Sequence, residues 1–232
     1  MKVLLACEES QAVCKEFRAL GHEAYSCDLY ECSGGHPEWH IKGDCLPILN
    51  GKCEFTTENG DKHSIDTKWD LIIAFPPCTH LTCTGQWAYT RGYKDPALKE
   101  EGANFFMQMI NADCDMIAVE NPVGIMSTRY RKPDQIIQPY MFGDEAQKTT
   151  CLWLKGLPLL KPIKIVGKGE KKEWVNAKGQ KKAYPKWMFD ALNKARTKEE
   201  RSKLRSKTFL GIAKAMAEQW GKLTHQHEDK GE

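Results

Sequence analysis

The sequence predicts an α/β protein built on a mostly parallel, doubly wound sheet, and three observations lead to this prediction. Short apolar runs at Val3–Ala6, Leu71–Phe75 and Met116–Val119 have the length of buried strands. Segments with helical periodicity alternate with such runs, which is the pattern of α/β sheets. The chain of 232 residues, 41 % of them hydrophobic, is also long enough to bury a core without metal or disulfide staples.

The first βαβ unit is predicted from the amino terminus. A strand over Val3–Ala6 leads through a polar loop into a helix over Ala12–Leu20, which Gly21 stops. A second strand over Glu23–Cys27 is closed by Asp28. This strand–helix–strand spacing is that of two parallel neighbours joined by a crossover.

The later elements follow from turn and capping signals. The polar stretch Glu54–Asp66 predicts a surface hairpin, and Asp95 with Pro96 predicts the start of a helix. Further predicted elements are strands at Cys151–Leu154 and Ile163–Val166, a basic helix opened by the Thr197–Glu200 capping box, and a final helix over Thr208–Trp220.

Targeting and redox signals indicate a cytosolic protein. No apolar run approaches the ~18 residues of a membrane span, and Val3–Ala6 is too short for the core of a secretion signal. The 10 cysteines are scattered without a CxxC pair, which argues against a disulfide framework. The spacing of Cys27, Cys32, His36 and His40 is tolerable for zinc, but paired short spacings are missing and we expect no metal.

Charge is distributed unevenly along the chain. Residues 155–207 carry a net charge of +12, whereas the remainder carries −9. A solvated lysine-rich insertion is one interpretation. The aromatic residues interleaved with the lysines favour a second interpretation, contact with nucleic acid. These aromatic residues are Trp174, Tyr184, Trp187 and Phe189.

Polar residues follow two of the predicted strands where each strand ends. Cys78 follows Pro76-Pro77, and Glu120-Asn121 precedes another proline. In parallel sheets ligands bind beyond the carboxyl ends of the strands. A cysteine held there is a candidate nucleophile, although a buried structural cysteine is the commoner role. A carboxyl group between an apolar strand and a proline turn would have a raised pKa and could act as an acid, unless a lysine or arginine pairs with it.

These motifs resemble those of the DNA cytosine-5 methyltransferases. Asp70–Cys78 (DLIIAFPPC) is similar to the proline–cysteine motif of that family, and Glu120-Asn121 is similar to its Glu-Asn motif. Gly43-Asp44, Gln147-Lys148 and the helix Thr208–Trp220 are similar to three further family motifs. Members of similar length encoded by phages and prophages resemble the chain more closely.

The resemblance implies a Rossmann-like methyltransferase fold and the transfer of a methyl group from S-adenosyl-L-methionine to C5 of a flipped-out cytosine in DNA. Cys78, positioned by Pro77, would add to C6 of the base. Glu120 would hydrogen-bond and protonate N3, and Asn121 would order the loops. The implied location is the cytoplasm of a bacterium or of a phage-infected host cell. The oligomeric state stays open, and a monomer is compatible with the sequence.

The resemblance also implies where the cofactor and the DNA would bind. Asp28 matches the acidic residue that holds the cofactor ribose, and Asp44 matches the one that reads the adenine amino group. The other implied cofactor residues are Cys7, Glu8, Ser10, Gln11, Phe75 and Pro76. The implied DNA-contacting residues are Thr82 and Gly85 of a mobile loop, together with Gln147, Lys148, Lys181 and Lys182.

Three departures from the family pattern matter. The glycine-rich loop after the first strand is replaced by Cys7–Gln11, whose two carboxylates could still bind a cationic methionine moiety. The family's arginines after Gln-Lys fall on Thr149 and Cys151, so another residue must contact the base. The target-recognition region is also reduced to residues 155–207, which leaves little surface for reading a long site.

These features predict a domain organisation and leave two alternatives open. Residues 1–154 with 208–224 are predicted to form the catalytic and cofactor-binding domain, 155–207 a small basic DNA-contacting region, and 225–232 a flexible tail. One alternative is the same Cys/Glu chemistry on a free cytosine nucleotide or with another donor. The other is a DNA-binding module whose active site has decayed.

Overall fold

A computed structural model describes residues 1–223 of the chain. The predicted tail, 225–232, lies outside these residues. No helix within the described range is long and apolar enough to cross a membrane.

A seven-stranded sheet forms the centre of the molecule, in the order β3-β2-β1-β6-β7-β9-β8. The five strands from β3 to β7 in this order are parallel, whereas β9 runs antiparallel to both of its neighbours. The strand order reverses between β1 and β6. Two separate hairpins pair β4 with β5 and β10 with β11. The strands are β1 (Lys2–Ala6), β2 (Glu23–Asp28), β3 (His40–Lys42), β4 (Cys53–Thr56), β5 (Lys62–Ile65), β6 (Leu71–Ala74), β7 (Ile117–Asn121), β8 (Gln135–Ile137), β9 (Thr150–Lys155), β10 (Lys171–Val175) and β11 (Lys181–Pro185).

Helices cover both faces of the sheet, because successive side chains of each central strand point to opposite sides. On one face, α3 packs Phe106 and Met109 against a core that includes Leu4 and Ile72. On the other face, α1 and α7 pack against a core that includes Leu5. The helices are α1 (Ala12–Ala19), α2 (Gln86–Thr90), α3 (Ala97–Ile110), α4 (Met126–Arg129), α5 (Lys186–Lys194), α6 (Lys198–Ser206) and α7 (Leu210–Trp220).

The predicted α/β class, the first βαβ unit and the mostly parallel sheet are confirmed. The hairpin predicted over Glu54–Asp66 is β4–β5, and both side chains of the Thr197–Glu200 capping box make their bonds. The helix predicted from Pro96 begins one residue later, and Asp95 Oδ1 accepts a hydrogen bond from the Ala97 N–H at 2.9 Å.

The strand predicted at Ile163–Val166 is wrong. This segment lies on the surface beside residues 140–142, to which it makes two backbone hydrogen bonds, and the Ile165 side chain is 75 % exposed. Pro162 lacks a backbone donor and Lys164 keeps the run polar, so the segment does not enter a buried sheet.

The basic segment 155–207 leaves the sheet after β9. It consists of a surface connection, the β10–β11 hairpin and the helices α5 and α6. The chain then returns to the sheet as α7, whose start is held by the loop before β9. Asp144 Oδ2 accepts a hydrogen bond from the Gly211 N–H at 2.8 Å.

Gly211 is therefore a position where a side chain should destabilise the fold. A Cβ atom at this position would collide with the Phe142 carbonyl oxygen and lie 2.8 Å from Asp144 Oδ2. We expect Gly211→Ala to lower the free energy of unfolding by about 1–3 kcal/mol, the usual cost of overpacking. Urea unfolding followed by circular dichroism measures this. The matched control is Gly167→Ala, where a Cβ atom meets nothing within 4 Å; an equal loss in both variants would contradict the assignment.

Candidate active site

The carboxyl ends of β6 and β7 lie side by side at one edge of the sheet. The two strands are parallel neighbours, and Ala74 is paired with Val119. The chain continues from β6 through Phe75 and two prolines to Cys78, while Glu120 and Asn121 are the last residues of β7. The pairing thus brings the predicted nucleophile and the predicted acid to the same edge of the sheet.

A buried hydrogen bond fixes the loop that carries Cys78. Asn121 is 2 % exposed, and its Nδ2 donates to the Pro76 carbonyl oxygen at 2.8 Å. The Cys78 carbonyl oxygen then accepts from the N–H groups of Leu81 and Thr82. Because the turn is held at both ends, the position of the thiol relative to β7 is set by the backbone.

The electrostatic surroundings of Cys78 come from three separate elements. Burial raises the pKa of the Cys78 thiol, and the negative charge of Glu120 raises it further. Lys148, just before β9, and Arg205, in the last turn of α6, act in the opposite direction. A cysteine, a carboxyl group and two cations therefore influence one another at this site.

Burial also raises the pKa of the Glu120 carboxyl, and Lys148 and Thr150 oppose this rise. A carboxyl group with a raised pKa keeps its proton closer to neutral pH, which is what a general acid requires. The pocket around Glu120 is small. It is lined by Phe75, Glu120, Lys148, Thr150, Thr208, Phe209, Ile212 and Met216.

Gln147 and Lys148 attach the basic segment to this pocket. Lys148 Nζ donates to the carbonyl oxygens of Ser206 and Lys207 at 3.1 and 3.3 Å, next to the end of α6. Trp187 Nε1 of α5 donates to the Gln147 carbonyl oxygen at 3.1 Å. Both residues were predicted to contact DNA, and their contacts in the structure are with the segment that carries the positive charge.

The two carboxylates of the loop after β1, Glu8 and Glu9, differ in their hydrogen bonding. Glu8 is 4 % exposed, and its two oxygens accept from the N–H groups of Val13 and Cys14 at 2.6 and 3.2 Å. It therefore caps α1 with both oxygens. The cofactor contact implied for Glu8 stays a prediction. Glu9 Oε2 is buried and has no hydrogen-bond partner among the described residues.

The remaining predicted residues of this loop are structural in their contacts. Cys7 and Gln11 take left-handed backbone conformations, with φ angles of 61° and 54°, without being glycine. The Gln11 side chain is fully buried and bonds both the N–H and the carbonyl of His36. Ser10 Oγ accepts from the Ala12 N–H at 3.4 Å. Gln11 and Ser10 thus hold the turn.

The two predicted cofactor aspartates lie at the same edge of the sheet. Asp28 ends β2, and its Oδ1 accepts from the Tyr30 N–H. Burial raises the pKa of the Asp28 carboxyl, and Glu9 adds to the rise. Asp44 is exposed, and its Oδ1 accepts from the Leu46 N–H. Asp28 and Glu9 therefore form an acidic pair beside the point where the strand order reverses.

The predicted DNA-contacting residues outside the pocket are dispersed. Thr82 makes an isolated bridge to Gly124, and Gly85 ends a short 3-10 turn. Lys181 and Lys182 lie on β11, and because they are adjacent their side chains point to opposite faces of the hairpin.

The cysteine–histidine cluster does not form a metal site in the described part of the chain, where no three potential ligand side chains come together. His40 is buried, with Nδ1 2.8 Å from Ser26 Oγ and Nε2 2.9 Å from the Tyr30 carbonyl oxygen. Its two ring nitrogens are thus occupied by protein groups.

Sequence reasoning missed two residues of the site, Thr150 and Arg205, and did not separate Glu9 from Glu8. Glu9 was noted only as one of two loop carboxylates, and the hydrogen bonds of Glu8 decide which of the two is available. Thr150 and Arg205 had no local signal, because their approach to Glu120 and Cys78 depends on how β9 and α6 pack.

Comparisons with known proteins add little to this geometry. No family model matches the chain, and no curated protein matches it. One solved structure that matches is an E. coli protein described as a DNA modification methyltransferase encoded within a prophage. The two share 15 % identity with a TM-score of 0.44, and the match covers 71 % of this chain and 51 % of that one, about half its length. Similarity of this degree establishes neither a shared family nor a shared activity.

Glu8 should make stability depend on pH. Burial raises the pKa of its carboxyl from 4.5 to about 7, so the folded chain holds a proton that the unfolded chain has lost. The stability from this proton is fully present below about pH 4.5 and is lost as the pH rises through 7. Relative to Glu8→Gln, we expect the wild type to lose roughly 3 kcal/mol of unfolding free energy between pH 4.5 and 8. Urea unfolding across this range measures the difference, and parallel curves for the two proteins would contradict it.

Proposed function

We propose that the protein transfers a methyl group from S-adenosyl-L-methionine to C5 of cytosine in DNA. The observation that carries this proposal is the placement of Cys78 beside Glu120, with the intervening turn held by the Asn121–Pro76 hydrogen bond. A thiol and a carboxyl group with a raised pKa, held at adjacent strand ends, are suited to adding a nucleophile to a ring while protonating it.

The proposed chemistry assigns each group one task. The Cys78 sulfur forms a bond to C6 of the base while Glu120 gives its proton to N3, so that C5 becomes nucleophilic. S-adenosyl-L-methionine, when bound, would supply the methyl group that C5 accepts. A solvent water then takes the C5 proton, the electrons of that C–H bond form the C5–C6 double bond, and the sulfur–C6 bond breaks to release the Cys78 thiolate. N3 returns its proton to Glu120. Asn121 holds the loop and takes no part in bond making.

The charges around the thiol support these roles. While Glu120 is ionised, its charge raises the pKa of the Cys78 thiol. Protonation of Glu120 removes that charge, so that burial is left as the cause that raises the thiol pKa, while Lys148 and Arg205 continue to lower it. A proton on Glu120, which the cytosine ring requires at N3, therefore also makes the Cys78 thiolate easier to form.

The donor set after β1 and β2 fits S-adenosyl-L-methionine. Glu9 Oε2 is a buried acceptor without a partner in the described structure, which suits an ammonium group. Asp28 has a desolvated carboxyl at the end of β2, which suits ribose hydroxyl groups. Both residues lie at the carboxyl edge of the sheet near the reversal of strand order, where doubly wound sheets bind their ligands.

The function is tested with tritiated S-adenosyl-L-methionine and either duplex DNA or dCMP. We expect label in duplex DNA with the wild type and with Cys83→Ser, because Cys83 is an exposed cysteine five residues away. Cys78→Ser should lose transfer, because a serine hydroxyl is not ionised near neutral pH. Label in dCMP alone would favour the free-nucleotide alternative. No label in either substrate would favour a decayed site.

Covalent trapping provides an independent check on Cys78. Fluorine cannot leave C5 as a cation, so DNA containing 5-fluorocytosine should remain bonded to the wild type. A denaturing gel should show this adduct for Cys83→Ser and not for Cys78→Ser. Turnover by Cys78→Ser within about tenfold of wild type would remove Cys78 from the nucleophile role.

Glu120→Gln should slow methyl transfer by about 10²–10⁴-fold, because glutamine keeps the shape of the side chain and cannot give a proton to N3. Single-turnover kinetics measure the rate, and equilibrium dialysis measures cofactor binding, which should stay close to that of wild type. Glu145→Gln alters an exposed carboxylate and serves as the control. Collapse of cofactor affinity in Glu120→Gln would instead assign Glu120 to the cofactor pocket.

A further inference from the structure

The β10–β11 hairpin has two faces of different chemistry. Its strands pair antiparallel, and directly opposite residues share a face. One face, here called the aromatic face, combines two lysines with two aromatic rings and has no carboxylate. The other, here called the plain face, also has two lysines and includes a carboxylate. The aromatic face consists of Lys172, Trp174, Lys182 and Tyr184, and the plain face of Lys171, Glu173, Val175, Lys181, Ala183 and Pro185.

The aromatic face is preorganised by contacts on the hairpin itself. The rings of Trp174 and Tyr184 lie diagonally across the two strands with centroids 4.9 Å apart, and such pairs stabilise two-stranded ribbons. The hairpin turn is held by Asn176, whose Oδ1 accepts from the N–H groups of Lys178 and Gln180. The two lysines of this face are exposed and make no ion pair among the described residues.

A chain of contacts connects the aromatic face to the candidate active site. Lys172 Nζ lies 5.7 Å from the centroid of the Phe189 ring on α5. The same helix carries Trp187, which bonds the carbonyl of Gln147, the residue before Lys148. The helix α5 therefore lies between the hairpin and the candidate active site and contacts both.

We propose that the aromatic face of the β10–β11 hairpin binds double-stranded DNA, with Lys172 and Lys182 on backbone phosphates and the ribbon directed into the major groove. This rests on the proposed function, since it concerns the same substrate. A two-stranded ribbon is narrow enough to enter the major groove, and lysines bound to phosphates fix its register on the duplex. The aromatic face has no carboxylate, whereas the plain face carries Glu173. Only the aromatic face therefore has charges of one sign, which complement the charge of DNA.

Two matched double variants test the proposal. Lys172→Gln with Lys182→Gln neutralises the aromatic face, and Lys171→Gln with Lys181→Gln neutralises the plain face. Each pair removes two charges from the same two strands, one residue apart, at exposed positions. Fluorescence anisotropy with a labelled duplex, at several salt concentrations, measures affinity and its salt dependence for the full-length chain.

For the wild type, four to six phosphate contacts give a slope of log affinity against log salt of about −4 to −5. The aromatic-face variant should bind at least about tenfold more weakly at 0.1 M salt, with a slope flatter by about 1.8. The plain-face variant should remain within about threefold of wild type, because the proposal turns its lysines away from the phosphates. This includes Lys181, for which the sequence resemblance implied a DNA contact. Equal losses in both variants, or a larger loss in the plain-face variant, would overturn the proposal.

Trp174 gives a second readout, because its ring lies on the proposed surface. DNA should change the tryptophan fluorescence of the wild type, and this change should be largely lost in Trp174→Phe. An unchanged response in Trp174→Phe would overturn contact at this face. Methyl transfer by the wild type is scored separately. Selective loss of DNA binding in the aromatic-face variant without any methyl transfer would support the surface and reject the proposed function. Methyl transfer to DNA by the wild type, together with equal binding losses in the two double variants, would support the proposed function and reject the surface.

Discussion

The parallel pairing of β6 with β7 is the constraint on which the candidate site depends. It fixes the separation of two strand ends, and through them the positions of Cys78 and Glu120. The Asn121–Pro76 hydrogen bond extends this constraint beyond the strands, because a turn with two prolines has few backbone donors of its own. A cysteine and a glutamate that are 42 positions apart in sequence are thereby held by backbone geometry.

The same burial that builds the sheet determines the electrostatics of the site. Glu120 is the last residue but one of β7, and the strand residues before it are completely buried. Its ionised form is therefore poorly solvated, and its pKa rises. Cys78 is subject to the same effect, and the two groups couple because they share a poorly solvated region. Lys148 limits both shifts. Its ammonium group also binds carbonyl groups next to the end of α6, so the cation that influences Glu120 also positions the basic segment.

Much of the fold could be predicted from local sequence, because its signals are local. A four-residue apolar run predicts a strand, Gly21 predicts the end of a helix, and the Thr197–Glu200 pair predicts a helix cap. The antiparallel direction of β9 could not be predicted in this way. It follows from the connection after β7, which returns through α4 and β8 without a long crossover helix. Ile163–Val166 has the composition of a strand, but it found no partner in the sheet.

The residues of the candidate site likewise fall into those with a local sequence signal and those without one. Cys78, Glu120 and Asn121 could be located because each directly follows or ends an apolar run. The roles of Glu8 and Glu9 could not be separated, since the difference lies in which carboxylate reaches the N–H groups of α1. Lys181 and Lys182 were treated as equivalent, although strand alternation sends them to opposite faces once their strand is known.

The contacts of the basic segment place the positive charge of the chain on the same side as the candidate site. The residues outside 155–207 carry a net charge of −9, so that on balance they repel a polyanion, whereas the segment with +12 attracts it. This segment is attached at Gln147 and Lys148, beside the Glu120 pocket, and Arg205 lies close enough to act on the Cys78 thiol. Electrostatic attraction would therefore bring DNA to the edge of the sheet where the thiol lies. For the DNA substrate proposed above, this attraction sets the direction of approach, whereas any reading of sequence depends on contacts to base edges.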